Sequence, residues 1–328
     1  MLLLSRFEVE ELLDLDELID AVAGAMADLS SGRASVPHRV AALVDEHDGL
    51  LAAMPGYTPS ARALVTKVMS LFPRNAGSAL PTHQGVIAVF DPDDGRPLAL
   101  LDANAITALR TGAGSALATR LLAREDSATL AILGTGVQAR AHARTVARVR
   151  DFEELRVAGR SHAKAEALAG ELAGELDLPV RVATDWEQAC DGADVICATA
   201  HALEPVVRRE WLALGAHVTS VGYNPEGREV DDATVVDALV VVESRAAALA
   251  PFPSGSNDLL QPIGRGLISP DHIHAEIGEL VDGSRHGRGS PEQITLYKSV
   301  GVAVQDGAAA GLVLRAARER GAGRDVDL

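Results

Sequence analysis

Ala128-Thr-Leu-Ala-Ile-Leu-Gly134-Thr-Gly136-Val-Gln138-Ala139-Arg140-Ala-His-Ala is the stretch on which the fold turns. Its first six residues form an aliphatic run with the composition of a buried strand. The run breaks at once into Gly-x-Gly-x-x-Ala and then an alanine-rich helix. Strand, glycine turn and helix in that order make a dinucleotide-binding fingerprint. Gly134 permits the tight turn, Gly136 lets backbone approach a pyrophosphate, and Ala139 is the small residue where helix and strand pack closely. The N–H groups and positive dipole of the new helix face the anion, with Thr135, Val137 and Gln138 on the same turn.

Downstream of the turn, strands near 155–158, 180–182, 195–197, 217–221 and 239–242 alternate with helical stretches near 163–176, 186–190 and 231–236. Such alternation builds a Rossmann-type, doubly wound parallel sheet, the α/β class. Ligands bind these sheets at the carboxyl ends of the strands, which marks Gly134, Gly159, Ala198-Thr199 and Gly222-Tyr223-Asn224 as one expected crevice. Upstream, Leu12, Leu13, Ile19, Val22, Ala23, Met26 and Leu29 fall at helical spacing with acids between them, so an amphipathic helix precedes the Ser30-Ser31-Gly32 turn. From 39 to 101 short apolar runs are separated by turns at Asp48-Gly49, Pro55-Gly56 and Asp93-Asp94-Gly95, the pattern of an antiparallel sheet. A helix over 106–124 leads into the glycine motif, and a last helix over 301–320 leaves the nucleotide domain. The tail after Gly321 is expected to be loose. The expected organisation is a second, α+β domain of residues 1–115 joined by 302–328, and a nucleotide domain of 116–301.

The chain has 328 residues and a formal net charge of −16, which disfavours nucleic acid and anionic membrane surfaces as partners and favours small molecules. Cys190 and Cys197 lack CxxC spacing and ligand-spaced histidines, so neither a disulfide framework nor a metal site is expected. No run of eighteen apolar residues and no secretory leader is legible, and a reducing cytoplasm is the expected setting.

Several motifs in a fixed order resemble the ornithine cyclodeaminase/mu-crystallin family over nearly the whole chain. They are Val36-Pro37-His38-Arg39, Met54-Pro55-Gly56-Tyr57, Lys67-Val-Met-Ser-Leu-Phe-Pro73-Arg-Asn75, Pro81-Thr-His83-Gln-Gly85, and Asp102-Ala-Asn-Ala-Ile-Thr107-Ala-Leu-Arg110-Thr111-Gly112-Ala113. The Gly-Thr-Gly-Val-Gln-Ala turn follows, and then Ile294-Thr-Leu-Tyr-Lys298-Ser299-Val-Gly301. The resemblance implies a central Rossmann domain, a substrate and dimerisation domain made from both chain ends, a homodimer, and a nicotinamide cofactor. It also implies that Arg39 and Arg110 hold a substrate carboxylate, which fits the bidentate geometry of guanidinium on carboxylate. Arg110 stands inside an otherwise apolar helix, an odd place for an exposed charge. Lys67 matches the family lysine beside the substrate, where an ammonium binds the carboxylate or polarises a C=N carbon toward hydride. Met54 and His83 are placed on the substrate side, His83 as a second acid or as a structural histidine.

Asn224 departs from the pattern. Ornithine cyclodeaminases carry an aspartate at the matching position, placed at the reacting amine. A neutral amide orients a substrate but takes no proton, and loss of a general base costs about 10²–10⁴ in rate. Reduction of a protonated imine tolerates this better, because the iminium already carries its charge. Asp231 and Asp232 are read as helix-capping or solvated acids and Lys298 as a surface residue. After the second strand of the nucleotide domain, Arg160, Ser161 and Lys164 stand where NAD enzymes place an acid, which favours NADP(H) over NAD(H). Thr111, Thr199, Gly222, Ser299 and Gly301 complete the expected cofactor contacts. Three activities follow: a reductase of imines bearing an α-carboxylate; an ornithine cyclodeaminase recycling NAD; and a nucleotide-binding protein without chemistry. NADPH oxidation by cyclic imino acids, ammonia release from ornithine, or binding without turnover tells them apart.

Overall fold

The computed structural model describes residues 1–222, 224–251 and 254–327, so Tyr223, expected in the crevice, lies outside the described residues. The chain forms two compact units, Met1–Arg110 with Val302–Leu328, and Thr111–Gly301. The division falls inside the helix Ala103–Leu122, after residue 110 where a boundary after 115 was expected.

The first unit holds β1 (Leu2–Leu4), β2 (Val40–Val44), β3 (Gly49–Thr58), β4 (Ala63–Leu71), β5 (His83–Phe90) and β6 (Pro97–Asp102). β2 to β6 form an antiparallel meander, and β1 adds in parallel beside β6. Apolar residues at every second position bury one face. Ala52, Met54, Val65, Ile87, Val89, Ala99 and Leu101 are buried on that face, and the helix Ala303–Arg320 packs on its β3 and β4 part. The helix Leu15–Ser30 lies against that helix. Asp14 caps it by accepting the N–H groups of Asp16 and Glu17 at 2.9 Å, its apolar stripe is buried, and Asp16, Glu17 and Asp20 face solvent.

Two local expectations are corrected. Pro55-Gly56 is strand, not turn. The β2–β3 ladder ends at Val40 and Ala53, so Pro55, which has no N–H to give, lies beyond the partner that would have needed it. The tail is not loose either. Gly321, with φ +63°, reverses the chain, and Arg324 and Asp325 pair antiparallel with Leu3 and Leu2 of β1.

The second unit holds β7 (Thr129–Leu133), β8 (Glu154–Ala158), β9 (Val180–Val182), β10 (Val195–Ala198), β11 (His217–Ser220), β12 (Leu239–Val242), β13 (Ile273–Glu276) and β14 (Thr295–Lys298). All pair in parallel, in the order β9-β8-β7-β10-β11-β14-β12-β13, so the order reverses between β7 and β10. β7 and β10 are almost wholly aliphatic because a parallel sheet is covered on both faces. β13 and β14 escape the sequence reading, since each is four residues long and carries a charge at its end. Ala158, Leu133, Ala198, Ser220 and Lys298 stand in register, which brings the loops after β8, β7, β10, β11 and β14 to one edge. Asp231 caps the helix Asp232–Asp237 through the Thr234 N–H at 2.9 Å. Cys190 and Cys197 are free and buried, and burial pushes each thiol up to about 12. Among the described residues no group of His, Cys, Asp or Glu is placed to hold a metal, and no helix is long and apolar enough to cross a membrane.

Candidate active site

In the first unit, the β3–β4 register sets Met54 directly opposite Lys67 on the covered face of the sheet. Lys67 is 3% exposed. Its Nζ lies 2.8 Å from Oδ2 of Asp306, in the first turn of the helix Ala303–Arg320. The other oxygen of the same carboxylate accepts from Arg110 Nε at 3.2 Å, and Arg110 Nη1 donates to Gln305 Oε1 at 2.7 Å. Small residues make this approach possible. A Cβ on Gly56 would stand 2.9 Å from that of Ala303, and one on Gly307 would stand 2.7 Å from Thr58 Oγ1, so only glycines let the helix lie this close to β3.

Burial draws the Lys67 ammonium down to about 8; the charges of Arg110 and Arg39 push the same way and Asp306 opposes them. Arg39 is half-buried just before β2. Lys67 and Arg110 thus share one carboxylate, which leaves a positive excess that suits an anionic ligand, and the charge of Arg39 also reaches Lys67. His83 is not part of the group. It is exposed at the far end of β5, four residues from Ile87, the residue paired with Lys67, or about 13 Å along the strand. Asp306 escaped the sequence reading, although its signal equals that of Arg110: a charge inside an apolar helix asks for a partner.

In the second unit, Gly134 has φ +140°, and a Cβ there would stand 2.5 Å from Thr199 Oγ1, whose hydroxyl donates to the Leu133 carbonyl at 3.0 Å. The loops after β7 and β10 therefore touch at the point where the strand order reverses. Ala139 is fully buried against the sheet, as the fingerprint requires. Gly136 is the N-cap of the helix Val137–Val146, with no side-chain cap, and open space surrounds the position a Cβ would take. Val137 is exposed, and Gln138 Oε1 is buried without a hydrogen-bond partner. Gly159 fits against Thr135, at 2.5 Å from its Cγ2 to a built Cβ, so the loop after β8 abuts the glycine turn. In that loop Arg160 and Lys164 are exposed, and Ser161 Oγ accepts the Lys164 N–H at 3.4 Å as the next helix's cap. Thr111 is buried in the helix Ala103–Leu122.

Lys298 is not a surface residue. It is 1% exposed, with Nζ 2.8 Å from Asp258 Oδ2 and donating at 2.9 Å to Ser220 Oγ and to the Gly222 carbonyl. Asp258 in turn accepts the N–H groups of Glu229 and Val230, each at 2.8 Å. Burial alone would raise the Asp258 carboxyl, but Lys298 and these N–H groups hold it below its ordinary range. The Glu229 carboxylate accepts from Ala200 N, Ser220 Oγ and Gly222 N, and burial raises its pKa. This network fixes the loop from Gly222 to Val230. Within it, Asn224 Oδ1 accepts the N–H groups of Glu226 and Gly227 at 3.0 and 3.2 Å, which closes an Asx turn and leaves Nδ2 for a ligand. Glu243, at the end of β12, accepts from Ser299 Oγ and from the Val300 and Gly301 N–H groups, and Gly301 has φ +80°. The sequence reading found neither Glu229, Glu243 nor Asp258.

Comparison with known proteins agrees with this geometry. The family model for the ornithine cyclodeaminase/mu-crystallin family matches residues 1–321. The chain is 36% identical over 329 residues to a Delta(1)-pyrroline-2-carboxylate reductase of Bacillus cereus, covering 100% of both. It is 38% identical over 315 residues to the ketimine reductase mu-crystallin of Mus musculus, covering 94% of this chain and 95% of that one. Among solved structures, Thermococcus litoralis Delta(1)-pyrroline-2-carboxylate reductase in complex with NADH and L-proline matches with a TM-score of 0.94 and 38% identity, over 99% of this chain and 100% of that one. The chain belongs to the ornithine cyclodeaminase/mu-crystallin family.

Proposed function

We propose that the chain is a nicotinamide-dependent oxidoreductase that reduces an imine bearing an α-carboxylate, with cyclic ketimine acids such as pyrroline-2-carboxylate as the substrate class. The observation that carries the proposal is the buried set of Lys67 and Arg110 on one carboxylate, with Arg39 nearby. The positive excess holds the substrate carboxylate, and a charge-assisted bond of this kind contributes about 1.5–3 kcal/mol. The Lys67 ammonium withdraws electron density from the C=N carbon. Asn224, with Nδ2 as its remaining donor, orients without acting as a base. This argues against ornithine cyclodeamination, which needs a proton acceptor at that position.

The glycine turn fits a dinucleotide. Open space at Gly136, an uncapped helix N-terminus and the unpartnered Gln138 Oε1 are the features a pyrophosphate and its nucleoside would complete. When bound, the reduced nicotinamide supplies the hydride. Arg160, Ser161 and Lys164 form a cationic loop without an acid, which favours NADP(H) over NAD(H). The relative from Thermococcus litoralis was solved with NADH, so the two cofactors need direct comparison.

The proposed assembly is a homodimer. On the uncovered face of the first sheet, Val40, Ala53, Val68 and Val86 form an apolar row across four strands, with Val40 65% and Val86 39% exposed. A second copy of the chain would cover it, and sedimentation in solution measures this. The free thiols of Cys190 and Cys197 fit the reducing cytoplasm proposed as the compartment.

The deciding experiment follows NADPH and NADH oxidation with pyrroline-2-carboxylate and piperideine-2-carboxylate. Oxidation with either acid establishes the reductase. Proline and ammonia from ornithine without net cofactor change would replace it by the cyclodeaminase, and tight NADPH binding without turnover by the binding protein.

A further inference from the structure

The chain has three lysines, Lys67, Lys164 and Lys298, among 30 basic Lys and Arg residues. Lys67 is one of the two that are buried, and among the described residues the acid within ion-pair distance of it is Asp306. Met54 on β3 and Ile87 on β5 stand opposite it and are uncharged. Gln305 and Asp306 come from the helix above, Arg110 from the helix Ala103–Leu122, and Arg39 from the segment before β2. His83 lies farther down β5 and is exposed.

We propose that Asp306 is a positioning residue of the substrate site: with one oxygen on Lys67 and the other on Arg110, its carboxylate fixes the spacing of the two cations and keeps the Lys67 ammonium protonated. Two observations carry this. The carboxylate is fully buried, and among the described residues its ion-pair partners are Lys67 and Arg110. It also sits in the first turn of an eighteen-residue helix, where the dipole favours a negative charge, and that turn approaches β3 only because Gly56 and Gly307 lack side chains. Without Asp306, burial and two guanidinium charges would act on Lys67 unopposed, and a neutral amine binds no carboxylate. Asp306 touches neither substrate nor reacting atoms in this scheme; it acts through Lys67 and Arg110. The inference rests on the imine-reductase reading for its consequence in catalysis, but its physical core does not need turnover.

With three lysines, ¹³Cε-lysine NMR of the full-length protein resolves each one, and Lys67→Arg assigns the Lys67 signal. In the wild-type protein that signal is expected to titrate near 8. In Asp306→Asn the midpoint falls by about 1–3 units, and the basic limb of the kcat/KM–pH profile for the imino acid falls with it. Asp306→Glu keeps the charge but displaces it by a methylene. Its Lys67 titrates as in the wild-type protein, while KM for the imino acid rises about tenfold because the cation spacing is lost. An unmoved Lys67 midpoint in folded Asp306→Asn overturns the proposal, and so does a wild-type KM in Asp306→Glu, which is read even if the asparagine variant fails to fold. A merely structural Asp306 would lower the melting temperature without moving either limb or midpoint. Absence of turnover on every imino acid would instead sink the proposed reaction, with the NMR titration still deciding the role of Asp306.

Discussion

Lys298 Nζ and Asp258 Oδ2 meet at 2.8 Å in the interior of the nucleotide unit, both almost wholly buried. The pair joins the end of β14 to the helix Asn257–Gly264, and through Ser220, Gly222 and Glu229 it holds the loop that carries Asn224. Removing one member of a buried pair costs about 3–5 kcal/mol, because the other charge is left without a partner. Lys298→Met leaves two buried acids facing each other and is expected to lose that much in urea denaturation. The double variant Asp258→Asn/Lys298→Met is expected to be more stable than Lys298→Met alone, and equal stability of the two would show that the charges are not coupled.

Gly136→Ala separates cofactor binding from folding. The added Cβ meets no atom within 4 Å, and φ there is −93°, so the melting temperature is expected to stay within about 1 °C. The methyl group would occupy the space a pyrophosphate needs, and the Kd for NADPH, followed by quenching of tryptophan fluorescence, is expected to rise at least about tenfold. Gly134→Ala behaves differently: φ +140° and the 2.5 Å approach to Thr199 make it destabilising even without nucleotide.

Arg160 is exposed and, among the described residues, stands in no ion pair, so Arg160→Ala should leave stability unchanged. If it holds a 2′-phosphate, KM for NADPH rises by about 10–100-fold, the worth of one charge-assisted hydrogen bond, while KM for NADH is unaffected. Equal effects on both cofactors would remove the basis for preferring NADPH.

Acid should destabilise the nucleotide unit through two buried histidines. Burial lowers His142 to about 4, and burial with the charges of Arg288 and Arg150 lowers His217 to about 3. Below the ordinary value near 6.5, the unfolded chain binds protons at both positions and the folded chain does not, so stability falls as pH drops from 6.5 toward 4. At pH 5 the loss is about 2 kcal/mol for each histidine. His142→Gln is expected to flatten this dependence between pH 7 and 5 in urea unfolding; an unchanged slope would mean that His142 is protonated in the folded state.

The local features were legible because they are written in short-range pattern. Aliphatic runs, glycine turns and period-two alternation located β2 to β5 and β7 to β12, and Gly134, Gly136 and Ala139 sit where the fingerprint requires. Pro55-Gly56 misled because the same two residues that end a strand in a turn are tolerated in a strand that has outrun its neighbour. The terminal strand pair was illegible, since Leu2 and Asp325 are neighbours only through the folded chain.

The sequence by itself determined the parallel nucleotide sheet and the antiparallel sheet before it, because each depends on residue type and near spacing, while the cations Arg39, Lys67 and Arg110 were singled out by the family motifs that carry them. Tertiary structure alone decided what those cations face. Asp306 lies 239 positions after Lys67 and 196 after Arg110, and the two bonds exist because glycines at 56 and 307 let a distant helix settle on β3. Lys298 was likewise reassigned from surface to interior by Asp258 and Glu229. A charge in an apolar segment tells that a partner must exist, since an unpaired buried charge is too costly to keep; which residue answers it is fixed only by packing.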